Sequence, residues 1–465
     1  MSNPNSNSKT KYLLIGSSAA GLTAALELRK LAPDAQIICI TSESEPPYNK
    51  CFLVDYLAGE QGLEGVYLCT PEFLAQQKIE ILYHSTVTEI RPKAQQIQLV
   101  SGDLISYDQL LIATGARAWT PPIPGIDQLL VQNLALNFYN LQDTLKLISK
   151  LSLNNKINLP ENSAQNSSQD SHNITHVTII GAGLTGLECA DALWRRGLKV
   201  TVIDQSSQIL NQVLDQATAQ FLQQKIINSG VELILGAQVL AVAQSGDNFA
   251  DTNHNNSEVF GARENSLDSA KSSFSAAKNF SNIKLKLSSQ TEISTDLIIL
   301  ATGVQANNIK VIGEQLNLIK QQIQVNQFFE TNLPNIWAAG DAILVRDLVT
   351  GEFKANRTWP DAVLHGRLAA RSMFAASTGL SEQLVQRVPY LGQLAYYKSQ
   401  LFNLDLVVCG NTNNLPKIYQ ADSHNFAENQ PSWASFYYNV TKQLQGFVLV
   451  GDISQAAKLR RQVGI

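Results

Sequence analysis

Two glycine-rich turns contain the residues best suited to bind a ligand, and an acidic residue follows each turn about twenty positions later. The first turn consists of Gly16, Ser17, Ser18, Ala19, Ala20 and Gly21. Gly16 permits a tight turn from strand to helix, Gly21 permits close packing of the two, and Ser18 is small enough for a phosphate to approach. The amides at the start of the helix then face the phosphates. Glu43 follows the next apolar run, where a carboxylate can accept hydrogen bonds from both hydroxyls of a ribose.

The second turn contains the full glycine triplet of a dinucleotide site: Gly181, Gly183 and Gly186. Asp204 ends the apolar run KVTVID that follows it, and the next three residues include no lysine or arginine that could pair with a 2′-phosphate. The sequence therefore predicts a preference for NADH over NADPH. Two dinucleotide sites in one chain predict two cofactors that exchange electrons, most naturally a nicotinamide and a flavin.

The elements around the two turns form an internal repeat. Each copy begins with a β-branched run, a glycine turn and an amphipathic helix, at 11–31 and at 176–197. Each copy closes on a second apolar strand that ends in Ala-Thr-Gly, and these motifs contain Thr114, Gly115 and Gly303. The pattern predicts an α/β protein with two Rossmann-like domains. Alternating apolar runs in the last ninety or so residues predict a small α+β domain.

Composition excludes several classes of protein. The 465 residues predict about three domains, and the hydrophobic fraction of 44% is that of a globular chain. A formal charge of −4 gives no basic surface for DNA or RNA, so we expect no nucleic-acid partner. No apolar run approaches the length of a membrane span, and the first ten residues lack the apolar core of a secretion signal. We therefore expect a cytoplasmic protein without a membrane span.

The cysteines offer one candidate for redox chemistry. These residues form no Cys-x-x-Cys pair and show no metal-ligand spacing, so we expect neither a disulfide framework nor a metal site. The five cysteines are Cys39, Cys51, Cys69, Cys189 and Cys409. Cys51 lies at the start of a predicted helix, where the helix dipole would favour its thiolate. The alternative interpretation is a small residue that only fills space. His365 is expected to be an exposed residue of a helix.

Two polar segments without apolar periodicity interrupt the pattern, and we interpret them as insertions. We predict three domains. The FAD-binding domain is discontinuous and consists of residues 1–125 and 304–376. The NAD-binding domain spans 126–303 and contains both insertions, at 154–173 and 245–282, and the C-terminal interface domain spans 377–465.

These motifs resemble the pyridine nucleotide–disulfide oxidoreductases, flavoproteins with two dinucleotide-binding domains. ATGARAWTPPIPG at 113–125 is similar to the family's crossover between domains, and NIWAAGDA at 335–342 is similar to its second flavin motif. The resemblance implies FAD and NAD(H) as cofactors and a homodimer formed through the C-terminal domain. It also implies site roles for further residues. Lys50 lies beside the FAD phosphates, the Val87 backbone touches the adenine, Asp341 after Gly340 holds the ribityl chain, and Glu188 lies near the nicotinamide.

The resemblance implies an NADH-dependent FAD oxidoreductase but leaves the acceptor open. The run PPYNK before Cys51 is similar to rubredoxin-reductase and nitrite-reductase-type flavoproteins, so the leading prediction is a small redox protein such as rubredoxin. Cys51 also aligns with the single redox cysteine of coenzyme A-disulfide reductases and water-forming NADH oxidases, which would use a small-molecule acceptor. A third hypothesis is a flavoprotein sensor or binding protein without turnover.

Overall fold

The computed structural model describes residues 9–152, 174–249, 283–355, 357–381, 384–412, 419–421 and 433–464. The predicted insertion at 154–173 lies outside the described residues, as does the one at 245–282 apart from its first five residues. Within the described ranges, no helix combines the length and apolar character needed to cross a membrane.

Helices are distributed over the whole described chain. They are α1 Ala19–Leu31, α2 Leu53–Ala58, α3 Pro71–Gln76, α4 Ile126–Val131, α5 Leu141–Ser152, α6 Leu184–Arg195, α7 Gln216–Asn228, α8 Trp359–Thr378 and α9 Ala456–Arg460.

Strands account for most of the remaining regular structure. They are β1 Lys11–Ile15, β2 Gln36–Ile40, β3 Ile79–Leu82, β4 Val87–Arg91, β5 Gln96–Leu99, β6 Leu104–Ser106, β7 Gln109–Ile112, β8 Ala116–Ala118, β9 Ala135–Asn137, β10 His176–Ile180, β11 Lys199–Asp204, β12 Glu232–Leu235, β13 Val239–Gln244, β14 Ile283–Leu287, β15 Glu292–Thr295, β16 Leu297–Leu300, β17 Val304–Ala306, β18 Lys310–Val311, β19 Leu318–Ile319, β20 Gln322–Ile323, β21 Ile336–Ala338, β22 Val345–Arg346, β23 Phe353–Lys354, β24 Tyr396–Leu401, β25 Leu404–Gly410, β26 Tyr419–Ala421, β27 Trp433–Tyr438 and β28 Leu444–Val450.

Two five-stranded parallel sheets confirm the predicted pair of Rossmann-like units. The first has the order β21-β7-β1-β2-β3 and the second the order β12-β11-β10-β16-β9. In each sheet the strand before the glycine turn is central, with the strand after the helix on one side and the Ala-Thr-Gly strand on the other. Such strands are buried on both faces, which is why they are nearly continuous apolar runs.

The outermost strand next to each Ala-Thr-Gly strand comes from outside the repeat. β21 reaches the first sheet from the chain that follows the second unit, whereas β9 reaches the second sheet from the chain that precedes it. The first sheet is therefore built from two separate stretches of chain. This composition supports the discontinuous FAD-binding domain, whose boundaries stay a prediction.

A short two-stranded ladder joins the two units. β8 leaves the first sheet and pairs antiparallel with β17, which leaves the second sheet. Each threonine of the Ala-Thr-Gly motifs bonds to the other unit's connection: the Thr114 hydroxyl donates to the Asn307 carbonyl at 2.8 Å, and the Thr302 hydroxyl donates to the Trp119 carbonyl at 2.6 Å. The same motif thus ends a strand and connects to the other copy.

The C-terminal part forms a five-stranded antiparallel sheet with the order β24-β25-β28-β27-β26, and α9 follows it. This arrangement confirms the predicted small α+β unit, including strands at LDLVVCG and GFVLVGDI. Polar bonds dock the sheet onto the second Rossmann unit: the Trp433 ring N–H and the Ser435 hydroxyl bond to Thr218 of α7, and Tyr437 donates to the Asp215 carboxylate that caps this helix.

α1 and α8 pack closely against each other, and a glycine makes the contact possible. A Cβ atom on Gly366 would lie 2.1 Å from the Ala20 carbonyl oxygen, far inside van der Waals contact. Helix α8 can therefore approach the glycine turn of the first unit only because position 366 has no side chain.

We predict that Gly366→Ala lowers the free energy of unfolding by about 2 kcal/mol or more, because the backbone clash outweighs the roughly 1 kcal/mol gain in helix propensity. Denaturant unfolding of the variant beside Arg367→Ala, which changes the exposed neighbour, measures the effect. Equal stability of the glycine variant and the wild type would contradict the packing described here.

Candidate functional site

The helices that follow the two glycine turns begin without a side-chain cap. Ser18 and Gly183 occupy the N-cap positions of α1 and α6, no side chain bonds to either cap, and neither first turn contains an acidic residue. By contrast, Thr70, Asp215 and Thr358 cap α3, α7 and α8. The free amides and the positive end of the helix dipole suit these two ends to a pyrophosphate.

The outer glycines of each turn are required by backbone contacts. Gly16 has φ +111°, and a Cβ atom there would lie 2.1 Å from the Ala113 carbonyl oxygen; Gly181 has φ +115° and would meet the Ala301 oxygen at 2.3 Å. The last glycine of each turn packs on the first: a Cβ atom on Gly21 would lie 1.9 Å from the Gly16 oxygen, and one on the equivalent residue of the second turn 2.0 Å from its first glycine.

The middle position of each turn is different. A Cβ atom on Gly183 would meet nothing within 4 Å, and the residue has an ordinary φ of −75°. Ser18 has a similarly extended backbone, with φ −83° and ψ −158°, which explains why serine is acceptable there. The open space above Gly183 suits a phosphate that approaches the backbone, and the small side chain of Ser18 stands at the same position of the first turn. The residues present therefore fit the two dinucleotides.

The two acidic residues follow their strands but have different partners. The Asp204 carboxylate accepts the backbone N–H groups of Ala182 and Ser206, each at 2.7 Å, so it lies directly beside the second glycine turn. Glu43 accepts a hydrogen bond from the Tyr48 hydroxyl at 3.2 Å, and the same hydroxyl accepts the Leu141 N–H at 3.1 Å.

Tyr48 was missed by sequence reasoning. It is buried and lies in the PPYNK run beside the predicted Lys50, and its hydroxyl links the first unit to the start of α5. An aromatic residue with a polar tip just after the first acidic residue was the available signal.

Further predicted flavin residues lie around the first sheet. The Lys50 ammonium lies 3.9 Å from the centre of the Tyr139 ring. Asp341 lies in a short 3-10 turn that begins at Gly340, a residue with φ +73° beside Ala20 of the first turn. Burial raises the pKa of Asp341, and the positive charges of Lys50 and Arg357 oppose that rise.

The remaining predicted positions lie at the ends of strands. Val87 begins β4 and is buried, while Gly115 and Gly303 follow their threonines with φ +64° and +103°. The roles of all these residues toward a cofactor stay predictions.

The structure brings Cys51 close to Glu188. Cys51 is exposed and lies in a 3-10 turn, Lys50–Phe52, just before α2, and its N–H bonds to the Asn49 side chain at 3.0 Å. Burial and the negative charges of Glu188 and Asp55 raise the pKa of its thiol to about 11. These surroundings disfavour the thiolate, and the redox role of Cys51 stays a prediction.

Glu188 lies in α6 and accepts the Ser399 hydroxyl at 2.6 Å. Burial raises the pKa of its carboxyl to about 7, the bond from Ser399 lowers it, and the charges of Asp55 and Asp191 raise it further. A carboxyl with such a pKa changes its charge near neutral pH. The Ser399 contact was also missed, because it joins residues of two different units.

His365 is buried rather than exposed, so the expectation of an exposed helical residue is wrong. Its ring Nε2 lies 3.1 Å from the Tyr390 hydroxyl, and its ring packs against Phe329. Burial lowers the pKa of His365 to about 4. Cys39 and Cys189 are fully buried, as predicted for packing residues.

Comparison with known proteins agrees with this arrangement. The family model for pyridine nucleotide-disulphide oxidoreductases matches residues 10–366, which is well over half of the chain. The chain belongs to this family. Membership makes it an NAD(P)H-dependent oxidoreductase with FAD and NAD(H) as cofactors, so the predicted enzyme class and cofactors are confirmed.

Individual relatives in the pyridine nucleotide-disulphide oxidoreductase family differ in the acceptor that their names imply. An NADH oxidase of Methanocaldococcus jannaschii is 26% identical over 390 residues, covering 83% of this chain and 74% of the relative. The 3-phenylpropionate/cinnamic acid dioxygenase ferredoxin–NAD(+) reductase component of Photorhabdus laumondii is 26% identical over 363 residues, covering 78% and 77%. The crystal structure of reduced CoADR-RHD from Bacillus anthracis has a TM-score of 0.76 and 23% identity, covering 98% of this chain and 75% of that one.

A pair of glycine variants tests the second turn. We predict that Gly183→Ala weakens NAD⁺ binding about tenfold, because its methyl group enters the space for the phosphates, and that it costs about 1 kcal/mol or less in stability. Gly181→Ala should instead destabilise the fold by about 2 kcal/mol or more, since it clashes with Ala301. Calorimetric titration and denaturant unfolding measure both effects. Unchanged NAD⁺ affinity of Gly183→Ala would place the phosphates elsewhere.

Proposed function

We propose that this chain is an NADH-dependent FAD oxidoreductase that passes electrons from its flavin to a small redox protein such as rubredoxin. The glycine turns that begin at Gly16 and Gly181 would hold the two dinucleotides, and a bound FAD would supply the chemistry that links a hydride donor to a one-electron acceptor. The observation that supports the proposal is the setting of Cys51, whose thiol is partly desolvated and lies near the carboxylates of Glu188 and Asp55, because this setting bears on whether the mechanism uses the flavin alone or also the thiol.

A redox cysteine acts as its thiolate. With a thiol pKa of about 11, only about one Cys51 side chain in ten thousand is ionised at pH 7. The preceding cation does not offset this effect, since Lys50 places its ammonium over the Tyr139 ring. Because these surroundings make Cys51 a poor second redox centre, the electrons of the flavin need another exit.

The named relatives support more than one acceptor. The ferredoxin–NAD(+) reductase component carries a redox-protein partner in its name, whereas the NADH oxidase points to a small-molecule acceptor. The exposure of Cys51 favours this second candidate, in which the thiol reacts with an oxidant or a disulfide. A homodimer and a cytoplasmic location stay predictions, as does the preference for NADH over NADPH.

Replacing Cys51 separates the two candidates. We predict that Cys51→Ser reduces its flavin with NADH, and transfers electrons to ferricyanide, within about twofold of the wild type. Anaerobic titration should need one equivalent of NADH per flavin in both proteins, because only the flavin accepts electrons. Cys69→Ser, which changes a half-buried thiol away from Glu188, is the matched control.

Three outcomes, two from this titration and one from steady-state assays, would overturn the proposal. A wild type that takes up two equivalents of NADH, with the second lost in Cys51→Ser, would establish the thiol as a redox centre. Flavin that bleaches only over hours would favour the sensor without turnover. Steady-state turnover with oxygen or coenzyme A disulfide that exceeds turnover with rubredoxin would reject the proposed acceptor.

Nucleotide preference depends on Asp204. The wild type should prefer NADH over NADPH, because this carboxylate accepts ribose hydroxyls and repels a 2′-phosphate. Asp204→Ala should lower the ratio of kcat/KM for NADH to kcat/KM for NADPH by roughly tenfold, which corresponds to about 1.4 kcal/mol. Steady-state kinetics with both nucleotides measures the ratio, and Asp247→Ala, in a described turn after β13, serves as a control for lost negative charge. Comparable kcat/KM values of the wild type for both nucleotides would contradict the assignment.

A further inference from the structure

Ser399 connects the C-terminal sheet to the second Rossmann unit at Glu188. The serine lies in β24, the edge strand of the C-terminal sheet, and its hydroxyl donates to the Glu188 carboxylate at 2.6 Å. Glu188 lies in the second turn of α6, the helix that begins at the second glycine turn. A side chain from the third structural unit therefore bonds directly to a residue of the proposed nicotinamide site.

Neighbouring contacts hold β24 in register against α6. Alternate residues of a strand point to the same side, so Ser399 and the fully buried Leu401 face the helix together. Beyond the strand, the Phe402 ring lies 5.5 Å from the Trp194 ring of α6. These contacts hold the C-terminal end of β24 against α6, next to the hydrogen bond between Ser399 and Glu188.

The other charges that face Glu188 are mostly negative. Asp55 approaches it from the α2 side, where the thiol of Cys51 also lies, and Asp191 lies one turn further along its own helix. The charges of Asp55 and Asp191 favour the protonated form of the carboxyl, as burial does, whereas the hydrogen bond from Ser399 favours the ionised form.

Nearby cations do not replace that hydrogen bond. Arg195 donates to both Glu60 and Asp191, so its charge is already paired. Lys398 is exposed and precedes Ser399 in β24, so it points to the opposite side of the strand. Cys189, the neighbour of Glu188 in the helix, is fully buried. Among the described residues around this carboxylate, Ser399 is the group whose bond stabilises its negative charge.

We propose that Ser399 is a positioning residue that favours the ionised form of Glu188 and orients its carboxylate to accept a hydrogen bond from an amide N–H of the bound nicotinamide. The inference rests on the proposed function, because it assumes that Glu188 faces the nicotinamide. It gives the C-terminal sheet a part in binding NAD(H) that is independent of any role in dimer formation.

The test is the pH dependence of NAD⁺ binding to the FAD-loaded chain, measured by calorimetric titration between pH 6 and pH 9. If the ionised form of Glu188 binds, affinity falls as pH drops through the pKa of this carboxyl, about 7. Loss of the hydroxyl in Ser399→Ala raises that pKa, by about one unit, and moves the fall to higher pH. The dissociation constant of the variant should then exceed that of the wild type about eightfold at pH 6.5 and be nearly equal at pH 9.

Four further variants separate a positioning role of Ser399 from general damage to the fold. Ser399→Thr keeps a hydroxyl and should retain the wild-type pH profile of NAD⁺ binding. Ser399→Val, which matches threonine in size but has no hydroxyl, should show the same displacement of the profile as Ser399→Ala. Glu188→Gln should remove the pH transition. Ser435→Ala is the matched control, because this serine also connects the C-terminal sheet to a helix of the second unit, and its profile should stay unchanged.

Superimposable profiles of Ser399→Ala, Ser399→Val and the wild type would overturn the inference, as would an equal displacement in Ser435→Ala. The proposed function fails separately: NADH would then not reduce the flavin of the wild type promptly under anaerobic conditions, whatever the profile of the serine variants.

Discussion

The ladder between β8 and β17 is the constraint on which the arrangement of the two units depends. Each strand leaves the carboxyl end of a parallel sheet, and ligands of such sheets bind at that end. The reciprocal bonds of Thr114 and Thr302 reinforce the ladder from both sides. Because each unit's connection is held by the other unit, the ends of the sheets that carry the two glycine turns cannot separate without breaking hydrogen bonds at both threonines.

A second contact completes this arrangement at the site. α2 of the first unit packs on α6 of the second, where Arg196 donates to the Leu57 carbonyl and Arg195 pairs with Glu60. The same packing brings Cys51 close to Glu188 and exposes the thiol to negative charge. The contact that joins the two units therefore also disfavours thiolate chemistry at their boundary.

The fold and the two cofactor turns could be predicted from the sequence, because glycine spacing, apolar runs and the acidic residues that follow them are patterns of residues close together in the chain. The charge around Cys51 could not be predicted this way, since Glu188 belongs to the other unit and its position depends on helix packing. Ser399 was missed for the same reason. His365 was misjudged because the residues that cover it, Phe329 and Tyr390, come from other parts of the chain.

The origin of the outermost strands has a consequence for the order in which the chain folds during synthesis. The second sheet has all of its strands once β16 has left the ribosome, because β9 was made earlier. The first sheet must wait for β21, although its glycine turn was among the first residues made. A nascent chain can therefore complete its second Rossmann unit before its first, and until then the edge of β7 presents unpaired backbone groups that invite pairing with another chain.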